Sequence, residues 1–166
     1  MNRLLVASLS TAILTFALGT TDACASNDYL HIPGVPGESF EPRYRDWIIV
    51  DTYSVSVLDR ACAGFTVMKL LDTSSPILSA SALSGVSYPS MTMHSVKPGE
   101  GQQRFLVFEL TNVVIRSVAL KESPSGYPME QVVLAPEVIA MSYYPQDDKG
   151  GLGAPIQSML TCGKVK

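Results

Sequence analysis

The chain has 166 residues, 46% of them apolar and 16% charged, which is enough for one domain with a sizeable core and too short for two. A net charge of −3 without any Lys/Arg run excludes the clustered cations that hold nucleic acid or an anionic membrane surface.

Met1-Asn2-Arg3 carries one positive charge, Leu4–Leu18 is an apolar stretch, and Ala23-Cys24-Ala25 puts small residues where signal peptidase reads. Residues 1–25 therefore read as a secretory signal cut between Ala25 and Ser26, with 26–166 as the single folded domain. The alternative, an uncleaved anchor, is disfavoured because the stretch falls short of the ~20 residues a spanning helix needs. Losing Arg3 and Asp22 leaves 11 basic and 14 acidic residues, so the mature charge is still −3. The expected location is periplasmic or secreted, with no membrane contact after cleavage. Export leaves Cys62 and Cys162 in an oxidising compartment, where the two are expected to pair. The alternative is two buried thiols acting as small apolar side chains.

Asp28–Ile32 alternates like a short strand and runs into Pro33-Gly34-Val35-Pro36-Gly37-Glu38-Ser39, a turn-dense loop reaching Arg45. Trp47–Leu58 reads as one long strand, with Tyr53, Val55 and Val57 on one face and Thr52, Ser54 and Ser56 on the other. After the short Asp59–Ala63 link, Gly64–Leu71 returns antiparallel. Asp72–Gly85 holds the one helix, with Ser75 as cap, Pro76 at the first position and Gly85 as the left-handed stop. Its stripe is Ile77, Leu78, Ser81, Ala82 and Leu83.

Tyr88–Val96 is a strand with one mostly polar face, and Lys97-Pro98-Gly99-Glu100 suits a type II turn. The run from Gln103 to Leu120 then supplies the organising strand, rich in Phe, Leu, Val and Ile. Its Leu106, Phe108 and Leu110 share one face, and Thr111-Asn112 is the place for a bend or bulge, after which Val113–Leu120 continues or returns. Glu130–Leu134 and Val138–Tyr144 are two strands broken at Ala135-Pro136, and Ile156–Cys162 is a last short one. The sum is a mainly β chain, a small barrel or sandwich with one short helix.

Several blocks resemble the Hcp (haemolysin-coregulated protein) family, the tube subunits of type VI secretion. They are Gly34–Ser39, the strand from Trp47, Phe65-Thr66 with Lys69, and Asp72–Pro76 with Leu78 and Gly85. Gln102-Gln103 through Ser117-Val118 match the central hairpin, and Glu130, Val132, Leu134 and Tyr143–Gly150 follow. The resemblance implies an antiparallel barrel of two sheets with a helix at its side, closing with itself into hexameric rings and contacting secreted effectors or type VI components. A head-to-tail contact closes into such a ring when its rotation divides a full turn. Thr52, Ser54, Ser56, Thr92 and His94 then either line a wet lumen or simply face solvent. Two departures stand out: the cleavable leader, and a Leu58–Ala63 link where the family has a long Gly-rich loop that meets the next ring.

No nucleophile elbow, metalloprotease, P-loop or dinucleotide motif is present, so no catalytic residue, metal or cofactor is expected. His31 and His94 lie far apart and read as strand histidines, Asp147-Asp148 as a turn, and Arg43, Arg45 and Asp46 as a solvated loop. A concealed Ser/His hydrolase would require a deep pocket beside His94.

Overall fold

The computed structural model describes residues 27–58, 61–97, 102–122, 126–148 and 150–163. The leader, its Ala25/Ser26 cut and the Pro98–Glu100 turn lie outside them. The strands are β1 (Asn27–His31), β2 (Ile48–Val50), β3 (Thr52–Leu58), β4 (Ala61–Leu70), β5 (Ser87–Val96), β6 (Arg104–Glu122), β7 (Pro128–Tyr143) and β8 (Ile156–Thr161), with helix α1 (Ser75–Ser84) between β4 and β5.

All eight strands share one antiparallel hydrogen-bonded ladder in the order β2-β1-β5-β6-β7-β4-β3, with β8 added to β7. Both ends of that ladder belong to the same stretch of chain. Ile48–Val50 pair with β1, Asp51 donates its N–H to Met68 O on β4, and Thr52–Leu58 continue along β4. The expected single strand from Trp47 to Leu58 is thus two strands that change partner at Asp51, and this hand-over curls the sheet into a small barrel.

A crease crosses three neighbouring strands. The buried residues of β6 run Phe108, Leu110 and then Val113, Ile115, so the inward face switches at Asn112, whose φ is +49°. On β5 the same switch falls between Tyr88 and Met91, and on β7 between Pro136 and Ile139. Asn112 tolerates the left-handed backbone better than a branched residue would, and its side-chain amide donates to Glu137 Oε2 across the ladder at 2.9 Å. β6 therefore continues through the predicted bend and does not turn back. β7 likewise runs unbroken through Ala135-Pro136, contrary to the two-strand expectation. What breaks there is its far edge, where pairing with β4 stops at Leu134, opposite Phe65, and pairing with β8 takes over at Val138, opposite Thr161. Pro136, lacking an N–H, sits in that interval.

A disulfide joins Cys62 to Cys162 with their Cα atoms 4.9 Å apart, closing a separation of 100 residues. Cys162 also donates its N–H to Glu137 O at 2.8 Å. The bridge therefore ties the start of β4 to the end of β8 beside the crease.

The core lies inside the curl. Tyr53, Phe65 and Phe108 meet edge-on or stacked at 5.2–6.3 Å, and Leu30, Ile48, Met93, Leu110, Leu134 and Ile139 are at most 1% exposed. Helix α1 packs against β6 through Leu78 and Ser81, and Ser81 Oγ lies 2.7 Å from the Tyr88 hydroxyl. The predicted stripe was too wide: Leu83 is 92% exposed and Ile77 is at the surface. Gly85 is left-handed as expected, with φ +69° and its N–H on Ser81 O.

Candidate functional site

The helix start was expected to be capped by Ser75, but the cap position is Ser74, which makes no side-chain cap bond. Asp72 supplies the acceptor instead, taking the Ser74 N–H and hydroxyl on Oδ1. Ser75 is needed elsewhere. Lys69, fully buried on β4, donates to Glu130 Oε1 and Asp72 Oδ1 at 2.7 Å each, to Leu70 O at 2.9 Å and to Ser75 Oγ at 3.1 Å. Ser75 Oγ in turn donates to Glu130 and accepts the Asp72 N–H. The Lys69 ammonium thus finds two carboxylates, a hydroxyl and a carbonyl, and the cluster locks the helix start to β4 and β7. Glu38 adds to this hold by accepting the Thr73 N–H at 3.0 Å. An ammonium so fully engaged is a structural anchor with no free valence for chemistry.

A second assembly lies on the outer face of β1 and β5. Tyr29 and Tyr44 stack at 4.3 Å, Tyr44 meets Trp47 at 5.1 Å, and the ring of Trp47 lies 5.0 Å from His31 and 5.1 Å from His94. The register that sets Tyr29 opposite His94 brings the two distant histidines onto one indole. Among the described residues no group of three His, Cys, Asp or Glu could hold a metal ion.

A cleft of about 430 Å³ opens beside His94. Tyr44 and Trp47 form an aromatic wall, Arg43 and Arg104 bring two guanidinium groups, and Gln102, Gln103 and Leu152 complete the lining. Arg43 therefore belongs to this wall, beyond the solvated-loop role expected of it. Burial, with Arg104 second, pulls the His94 pKa down to about 4, so the ring is neutral at pH 7. Burial also raises the Tyr44 phenol, against the pull of Arg104 and Arg43. Among the described residues the lining offers a neutral imidazole and no Ser, Thr, Cys, Asp or Glu of the kind a Ser/His hydrolase would set beside it.

Asp147 accepts the Gly151 N–H on Oδ1 at 2.7 Å and the Gly150 N–H on its carbonyl, the turn that the sequence implied. Thr52, Ser54 and Ser56 are exposed on β3, whereas Thr92 and His94 are half-buried on β5, with β6, β7 and β4 between the two strands in the ladder. No helix among the described residues is long and apolar enough to cross a membrane.

The fold is a curled antiparallel barrel with one flanking helix, a buried ionic anchor and an open surface cleft. Residues 29–143 match the family model described as Type VI secretion system effector, Hcp, and the chain belongs to that family. Among solved structures it is similar to Hcp1 from Salmonella typhimurium, with TM-score 0.73 and 21% identity, covering 83% of this chain and 95% of that one. A type VI secretion system effector from Yersinia pestis gives 0.70 and 19%, covering 81% and 98%. The secreted protein Hcp3 from Pseudomonas aeruginosa gives 0.63 and 15%, covering 78% and 96%. No curated protein sequence matches the chain.

Proposed function

We propose that this chain is an exported, non-enzymatic member of the Hcp family that assembles with itself into a ring and works by protein contact in type VI secretion. The observation that carries the reading is the family match over residues 29–143 on a barrel of the same architecture. Ring closure needs only one pair of unlike, complementary faces. Secreted effectors or other secretion components are the expected partners. The proposed leader, cut at Ala25/Ser26, delivers the chain to the periplasm or beyond, where the Cys62–Cys162 bridge is stable.

A second reading is a periplasmic or secreted barrel that binds a partner without forming a tube. It is favoured by one observation: only two residues separate Leu58 from Ala61, where tube-building relatives carry an extended loop toward the next ring. Native mass measurement of the chain starting at Ser26, at micromolar concentration, decides between them. A hexamer supports the first reading, and a monomer removes it in favour of the second. Fractionation of cells with and without a working type VI apparatus tests the tie to secretion.

A further inference from the structure

From the cleft beside His94 we infer a binding site for a small ligand that carries a carboxylate next to a flat apolar face, either a sugar acid or the free carboxyl terminus of a peptide. The volume, about 430 Å³, falls within the size range of small-molecule sites. Its composition separates it from an ordinary surface dip. Trp47 and Tyr44 give a ring or a sugar face something to stack on, and Gln102 and Gln103 offer amides to hydroxyls or peptide groups. Among the described residues Arg104 makes no ion pair and no carboxylate lines the cleft, although the chain as a whole is acidic.

Packing alone accounts for the aromatic rings, since Tyr29, Tyr44 and Val96 form a small outer core with Trp47 against it. It does not account for the polar atoms beneath. Among the described residues His94 Nδ1 and Gln102 Oε1 are both buried without a hydrogen-bond partner, and a hydroxyl or N–H on the ligand would relieve the Gln102 acceptor. The carboxylate itself is matched by the guanidinium of Arg104, which takes such a group in a two-bonded fork.

Trp47 is the only tryptophan in the chain, so its fluorescence reads this cleft directly. The mature chain is titrated with two probe pairs: glucuronate against glucose, and glycyl-phenylalanine with a free carboxyl terminus against its amide. The expected result is a saturable change in Trp47 emission with at least one acid, at a Kd no weaker than about 1 mM, and a weaker response to its neutral partner. A response to glucuronate alone assigns the site to sugar acids, and one to the dipeptide alone assigns it to chain termini. Arg104→Gln should weaken the binding by about tenfold or more, the loss of one charge-assisted hydrogen bond, while Arg116→Gln, on an exposed stretch of the same strand, should not. Silence from both acids, equal binding of the neutral partners, or equal losses in the two arginine variants would overturn the inference.

Discussion

Replacing Lys69 by Met tests the ionic anchor most directly. Lys69 is fully buried, and the Glu130 side chain is 2% exposed, so the change strands a carboxylate whose remaining partner is the Ser75 hydroxyl. Asp72, at 10% exposure, loses the same cation. Removing one partner of a buried pair costs about 3–5 kcal/mol, a large share of the roughly 5–15 kcal/mol that holds a domain of this size together. Glu130→Gln should cost less, about 1–3 kcal/mol, because Lys69 keeps Asp72 and the Leu70 carbonyl. The double change Lys69→Met with Glu130→Leu should recover much of the loss, since no buried charge is then left without a partner. Urea unfolding of the oxidised protein gives all three values, and amide exchange in 75–84 shows whether the helix loosens first. The reasoning fails if Lys69→Met costs under about 1 kcal/mol, or if Glu130→Gln proves the more damaging single change.

Gly37→Ala should cost about 2–3 kcal/mol in the same assay, because an added Cβ would lie 2.4 Å from Trp47 O and 2.5 Å from Ile48 Cα, both backbone atoms. Replacing both cysteines by Ser should cost about 4–5 kcal/mol, the loop-closure value for a separation of 100 residues, with amide protection lost earliest in β8. His94 has a folded pKa of about 4 against an ordinary 6.5, so its contribution is complete above pH 6.5 and is lost as pH falls toward 4. Linkage puts that loss at about 3 kcal/mol, and the open cleft screens it to about 1–2; unfolding curves for His94→Gln between pH 7 and 4 should lack it. Asp28 has the opposite sign. Burial raises its carboxyl above the ordinary 3.8 despite Ser95, so ionisation costs stability as pH rises through the folded pKa, and Asp28→Asn should gain relative to the parent at pH 7 more than at pH 4.

The elements were legible where local chemistry decides them. Gly85 ends the helix because a left-handed residue needs no Cβ, and Asn112 marks the bend for a related reason. The run Asp72–Pro76 announced a helix start, but not that Asp72 would take the acceptor role while Ser75 served Lys69 and Glu130. That assignment depends on residues 55 positions apart meeting in the core. Leu83 misled because a stripe read at helical spacing assumes a flat partner, whereas α1 meets a curled strand and buries little beyond Leu78, Ser81 and Ser75. The cleft was the least visible feature. Its parts come from the loop before β2, the end of β5, the residues leading into β6 and Leu152 beyond β7, and only the β1–β5 register gathers His31, Trp47 and His94.

The crease at Asn112 also gives the disulfide its structural logic. Along the far edge of β7, β4 covers 129–134 and β8 covers 138–143, so two strands from distant parts of the chain abut where Pro136 offers no N–H. β8 is nearly all exposed, with Met159 at 72% and Ile156 at 65%, and pairs on one side only. So little burial cannot hold a six-residue strand against its conformational entropy. Cys62–Cys162 supplies the missing restraint at the weak joint, through a bond whose strength does not depend on buried area. A short β3–β4 link fits the same economy, since it places Cys62 early in β4, level with the end of β8.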